Sequence, residues 1–222
     1  MSAFTNAVRI HPALTARWEK RALLWMADRM PARVSPNHLT AMALAAQILA
    51  GVAYALASRD ARFLWVVNLF LFLNWFGDSL DGTLARVRNR QRPRYGFYVD
   101  HIADTIGALA LMAGMASSGY AHWPVAAGML LCFYALSIES YLATYTTGHF
   151  HLSHGWFGPT EIRILLAVGN GIVTAHPYVN LAGRHFLAFD FGGAVAIAGM
   201  AAMFMWAAIR QTVRLYREEA LP

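Results

Sequence analysis

The chain has 222 residues, of which 58% are hydrophobic and only 14% charged, with a formal net charge of +6. Apolar residues at that level, gathered in runs of about 20, argue against a soluble domain and for an integral membrane protein. The charge comes from seventeen Arg and one Lys that flank the apolar runs instead of forming a basic domain, which speaks for membrane topology and against nucleic-acid binding.

Residues 11–31 come first. Leu14, Trp18, Ala22 and Trp25 recur at helical spacing, with Arg17, Lys20, Arg21 and Arg29 on the remaining surface. The pattern predicts an amphipathic helix lying at the membrane surface, with its basic residues toward anionic headgroups, in preference to a helix packed on the domain. Charges run through this whole segment, so no cleavable signal is expected. Pro31 and Pro36 break the chain.

Six apolar spans follow, at about 36–58, 62–86, 96–118, 124–147, 158–176 and 188–212, within a single domain 1–222. The expected fold is an all-α integral membrane protein, with six transmembrane helices and an N-terminal amphipathic interfacial helix. Pro36-Asn37-His38-Leu39-Thr40 opens the first span; proline suits a helix start, and Asn37 either caps the helix or reaches into a site. Arg88, Arg90, Arg92 and Arg94 alternate through the loop after the second span, either as positive-inside anchors or to attract an anionic nucleotide or lipid. Cys132 stands alone in an apolar span and can form neither an internal disulfide nor a zinc site. His149, His151 and His154 fall in the loop after the fourth span and read as solvated in preference to a metal cluster.

Counting Lys and Arg sets the orientation. With a cytoplasmic N-terminus there are six before residue 36, five in 86–94 and three in 210–217, against Arg59, Arg62 and Arg184 outside. Asp78, Asp81, Asp100, Asp104, Glu139 and Glu161 then all lie in the cytoplasmic halves of their spans. Asp78 and Glu139 are roughly 12 Å deep at helical rise. Every intramembrane carboxylate can therefore converge on one polar cavity open to the cytoplasm.

The chemistry concentrates between Asp78 and Asp104. Asp78 and Asp81 are spaced i,i+3, and Asp100 and Asp104 i,i+4, so each pair shares a helix face. Four carboxylates gathered at membrane depth repel one another and are costly. A divalent cation with hard oxygen ligands resolves that conflict.

The residues Asp78-x2-Asp81-Gly82-x2-Ala85-Arg86-x9-Gly96-x3-Asp100-x3-Asp104 resemble the signature of the CDP-alcohol phosphotransferases, with every fixed position present. The resemblance implies displacement of CMP from a CDP-alcohol by the hydroxyl of a second alcohol, in phospholipid synthesis. It assigns Asp78, Asp81, Asp100 and Asp104 to one or two magnesium or manganese ions, and Asp104 also to the general base. Gly82, Ala85 and Gly96 leave room for the cytidine and its phosphates, and Arg86 offers a forked donor to phosphate oxygens. It further implies a homodimer in a bacterial inner membrane, with one of the two substrates a lipid.

Asp100-His101, Glu139-Ser-Tyr141 and Gly158-Pro159-Thr160-Glu161 are similar to the choline and ethanolamine phosphotransferase branch. His101 binds the acceptor, acts as an accessory base or bonds a neighbouring helix; Glu139, Glu161 and Arg163 are acceptor-side candidates. The donor is thus either CDP-diacylglycerol, with a polar acceptor, or CDP-choline or CDP-ethanolamine, with diacylglycerol as acceptor. Two rival classes use the same acids. A cation or proton transporter needs polar groups across the whole bilayer, and here they stop halfway. A silent membrane scaffold has no need of Asp104.

Overall fold

The computed structural model describes residues 8–10, 16–147, 149–151, 159–181 and 183–219. Among them are seven helices: α1 (Ala16–Arg29), α2 (Pro36–Ala57), α3 (Phe63–Val87), α4 (Pro93–Ala116), α5 (Trp123–Thr147), α6 (Pro159–Ala175) and α7 (Ala188–Glu218). Five of them, α2, α3, α4, α5 and α7, are long and apolar enough to cross a membrane. The sixth expected span, α6, has 17 residues. At 1.5 Å per residue that is about 26 Å, short of the roughly 30 Å hydrocarbon core.

The helical fold also carries two small strand pairs that the apolar periodicity did not announce. β1 (Val8–Ile10) pairs in parallel with β2 (His149–His151), and β3 (Tyr178–Leu181) forms an antiparallel hairpin with β4 (Arg184–Leu187). These pairings satisfy backbone groups of the connections that no helix can serve. Gly183 holds a positive φ of 76° at the hairpin turn. His149 and His151 thus lie on a strand, while His154 lies outside the described residues.

Ser35 caps α2, not Asn37. The Ser35 hydroxyl accepts from the His38 backbone N–H at 3.3 Å, the His38 ring accepts from the Ser35 N–H, and Pro36 takes the first helical position. The end of α3 is equally specific. Asn89 adopts a left-handed φ of 52°, and the Arg90 N–H reaches back to the Ala85 carbonyl at 2.9 Å. The helix therefore stops just past Arg86 and releases the arginine loop.

α2 packs against both α3 and α4. Small residues set the distance: a Cβ on Gly77 would stand 2.6 Å from the Leu39 carbonyl oxygen, and one on Gly114 1.9 Å from that of Gly51. One half of the bundle is an apolar core around Tyr54, Leu64, Val67, Leu111 and Met115. A second cluster joins Leu23 and Ala27 of α1 to Leu39, Leu80 and Leu84. α1 is thus packed on the domain along one face, while Leu24 and Trp25 remain exposed.

Candidate active site

Asp78 and Asp81 sit in the last three turns of α3, and Asp100 and Asp104 in the third and fourth turns of α4. α2 supplies the third wall. All four aspartates line one small chamber of about 10 Å³, together with Thr40, Ala43, Leu44, Gln47, Asn74 and Ala103. That is room for one small occupant.

A much larger open cavity of about 1430 Å³ adjoins it. Its lining includes Gly82, Ala85, Arg86 and Gly96, the four residues expected beside a nucleotide, as well as Arg90, Arg92, Asn37, Tyr95, Tyr141 and Tyr145. A Cβ on Gly96 would meet nothing within 4 Å, so this side is open. Asp81, Asp100, Thr40, Leu44 and Ala103 line both spaces. The two carboxylates therefore stand in the shared wall.

Each aspartate has a distinct setting. Asp81 is buried; Thr40 Oγ1 donates to its Oδ2, and its Oδ1 accepts from the Gly82 backbone N–H. Asp78 Oδ2 accepts from Arg163 Nη2 at 2.6 Å. Arg163 Nε also donates to Asn74 Oδ1 at 2.7 Å, and the Asn74 amide donates to the Ala43 carbonyl at 3.0 Å and to Gln47 Oε1 at 3.3 Å. Asp104 lines the chamber but not the large cavity.

The acceptor-side candidates divide. Arg163 reaches the motif directly through Asp78. His101 does not line either space: it packs against Phe97 at 4.1 Å and Tyr141 at 4.6 Å between ring centroids, with Nδ1 bonded to the Phe97 carbonyl. It stands one layer behind Tyr141. Glu161 is buried in the first turn of α6, and Glu139 is half-buried on α5; neither is among the described residues lining the two spaces. Of the loop arginines, Arg90 and Arg92 line the large cavity. Arg88 instead donates to the carbonyls of Met30, Pro31 and Val34, pinning the α1–α2 connection.

Sequence reasoning missed Thr40, Gln47 and Asn74. Thr40 belongs to the Pro-Asn-x-x-Thr segment that reads as a cap. Asn74 lies one turn before Asp78, which is the signal that finds it: a polar residue at i−4 from a motif acid within an apolar run.

The donor set fits magnesium or manganese by its chemistry, since four carboxylates and the oxygens of Thr40, Gln47 and Asn74 surround one chamber. Among the described residues, no three acidic, histidine or cysteine side chains converge on one point. Asp78 is turned to Arg163, and Asp81 to Thr40 and Gly82.

Residues 33–214 match the model of the CDP-alcohol phosphatidyltransferase family. Over 78 residues the chain is 37% identical to the inner membrane protein YnbA of Escherichia coli (strain K12), a match that covers 35% of this chain and 38% of YnbA. The chain thus spans well under two thirds of that curated relative. Its fold is similar to the crystal structure of Mycobacterium tuberculosis phosphatidylinositol phosphate synthase (PgsA1) with CDP-DAG bound, with a TM-score of 0.64 and 17% identity over 86% of this chain and 94% of that one. The family match covers most of the chain and contains the entire aspartate motif, with all four carboxylates around one chamber. The chain belongs to the CDP-alcohol phosphatidyltransferase family, and five of its helices are long and apolar enough to cross a membrane.

Proposed function

We propose that the enzyme takes a CDP-alcohol in the large cavity, transfers its substituted phosphate to an acceptor hydroxyl and releases CMP, with CDP-diacylglycerol as donor and a polar alcohol as acceptor. One observation carries this reading: Asp81 and Asp100 stand in the wall between the cavity and the carboxylate chamber. A pyrophosphate lying along that wall meets the motif acids on one side and the arginines on the other. The CDP-DAG held by the structurally similar PgsA1 supports the choice of donor.

The residues act as follows. Arg86, Arg90 and Arg92 draw the anionic pyrophosphate into the cavity mouth. Gly82, Ala85 and Gly96 let the nucleotide approach the backbone. The acceptor oxygen attacks the phosphorus that bears the alcohol, and the P–O bond to CMP breaks with its electron pair leaving on CMP. Asp104 takes the proton of the acceptor hydroxyl as the new O–P bond forms. Asp78, Asp81, Asp100 and Asp104 would hold the divalent cation, which supplies neutralisation of the charge on the leaving group. Arg163, beside Asp78, orients the acceptor end.

We count α6 as a sixth crossing, because it packs on α3 and carries Arg163 to the level of Asp78. The excess of Lys and Arg around 1–35, 86–94 and 210–217 supports a site on the cytoplasmic face, and the family resemblance supports a homodimer as the working unit. Accessibility labelling of cysteines introduced into the arginine loop, and cross-linking in membranes, check these two points.

The second reading, CDP-choline or CDP-ethanolamine with diacylglycerol, is favoured by the run from Glu139 to Tyr141 and by Asp100-His101, whose ring contacts Tyr141 at the cavity wall. Two reaction mixtures decide. Magnesium-dependent CMP release from CDP-diacylglycerol with pooled polar alcohols supports the first donor. Release only from the CDP-aminoalcohols with diacylglycerol replaces it with the second.

A further inference from the structure

Glu19 stands in the first turn of α1. One of its carboxylate oxygens, Oε1, accepts three hydrogen bonds: from Trp75 Nε1 at 2.7 Å, Ser79 Oγ at 3.2 Å and Thr160 Oγ1 at 2.9 Å. Two of these donors lie one turn apart on α3, and the third begins α6. Bonds to an ionised carboxylate are about twice as strong as neutral ones. An acid in the first turn of a helix also suits the helix dipole. The dipole alone, however, does not call for donors arriving from two other helices.

The same turn of α3 is bound a second time. Arg163, one turn beyond Thr160, donates to Asn74 and Asp78, the immediate neighbours of Trp75 and Ser79. Two bridges therefore join this turn of α3 to the start of α6, one through Glu19 and one through Arg163. α1 is a firm base for the first bridge. Arg88 bonds the carbonyls of Met30, Pro31 and Val34 just past its far end, and Leu23 and Ala27 are buried in its middle.

We infer that Glu19 is a positioning residue for the acceptor half of the site, holding the first turn of α6 against α3 so that Arg163 stays beside Asp78. This rests on the transfer reaction proposed above. The large cavity takes its lining from α2, α3, α4, α5 and two connections, and from no residue of α6. Releasing α6 therefore disturbs the acceptor half and spares the donor half. A general loss of structure would weaken both.

The test uses the full chain in lipid nanodiscs. Glu19→Ala raises the acceptor KM about tenfold, as expected for losing a charge-assisted hydrogen-bond set, while the donor KM moves less than about twofold. Glu19→Gln keeps an accepting oxygen and recovers most of the acceptor KM. The melting-temperature losses of Glu19→Ala and Thr160→Val are non-additive, because either change breaks the same contact. Equal rises in both KM values, or additive melting losses, overturn the role given to Glu19. Failure of the transfer reading shows separately, as no CMP release by the wild-type chain with any donor and acceptor pair; the melting cycle still judges the Glu19–Thr160 contact in that case.

Discussion

Arg163 and Asp78 form an ion pair of 2.6 Å between α6 and α3, with side chains only 13% and 30% exposed. The guanidinium bridges Asp78 and Asn74 with two different nitrogens. A lysine ammonium is a point charge and cannot reproduce that fork. Arg163→Lys should keep the charge and lose the alignment, lowering turnover about tenfold, and Arg163→Met should lower it about a hundredfold, as misplacement near a reacting centre does. CMP release by both variants checks this, and a lysine variant as fast as wild type sinks the alignment argument.

Asp104 and Asp100 occupy the same helix face but border different spaces. Asp104 faces only the small chamber, while Asp100 faces the chamber and the large cavity. Asp104→Asn should therefore lose turnover by about 10²–10⁴-fold, the usual worth of a general base, with CDP-alcohol binding retained. Asp100→Asn should lose turnover and binding together. Calorimetric titration with the donor, alongside CMP release, separates the two. Chelation should silence the wild-type enzyme, and magnesium or manganese should restore it.

The apolar runs located the helices because membrane-depth sequence has little freedom: each helix must satisfy its own backbone, so length and composition show through. The motif located the four aspartates because its spacing places them on shared faces. Glu19 was not legible. It sits among Arg17, Lys20 and Arg21 in an amphipathic segment, where an acid reads as solvated, and only tertiary contact brings Trp75, Ser79 and Thr160 to it. Arg88 was hidden for a similar reason, since four alternating arginines look equivalent until one folds back onto backbone carbonyls. The strand pair of β1 with β2 joins residues 8–10 to residues 149–151, a relation that no local period carries.

Away from the site, Tyr54, Asn170 and Asn68 form a buried ladder. Tyr54 OH donates to Asn170 Oδ1 at 2.8 Å, and the Asn170 amide donates to Asn68 Oδ1 at 2.7 Å. Asn170→Leu should strand both partners and cost about 1–3 kcal/mol, nearer the lower figure in a membrane. Because the ladder lies in the half of the bundle opposite the aspartates, the melting temperature should fall while both KM values hold at permissive temperature. A changed donor KM without a melting shift would contradict this.

Two glycines give opposite outcomes from similar changes. Gly77 faces α2, and an added Cβ would press on the Leu39 carbonyl at 2.6 Å and on Ala43 Cβ at 2.9 Å. Backbone cannot yield as a flexible side chain does, so Gly77→Ala should separate α2 from α3 and cost about 1–3 kcal/mol, as overpacking does. Thr40 lies on α2 beside Leu39 and bonds Asp81, so turnover should fall with stability. Gly96 has nothing within 4 Å of the same added atom, yet it lines the large cavity. Gly96→Ala should leave the melting temperature unchanged and raise the donor KM, because the methyl group enters the cavity proposed for the nucleotide. Melting curves and donor titrations of the two variants side by side decide the matter: a destabilised Gly96→Ala with normal donor affinity would mean that this glycine serves the start of α4 and not the nucleotide.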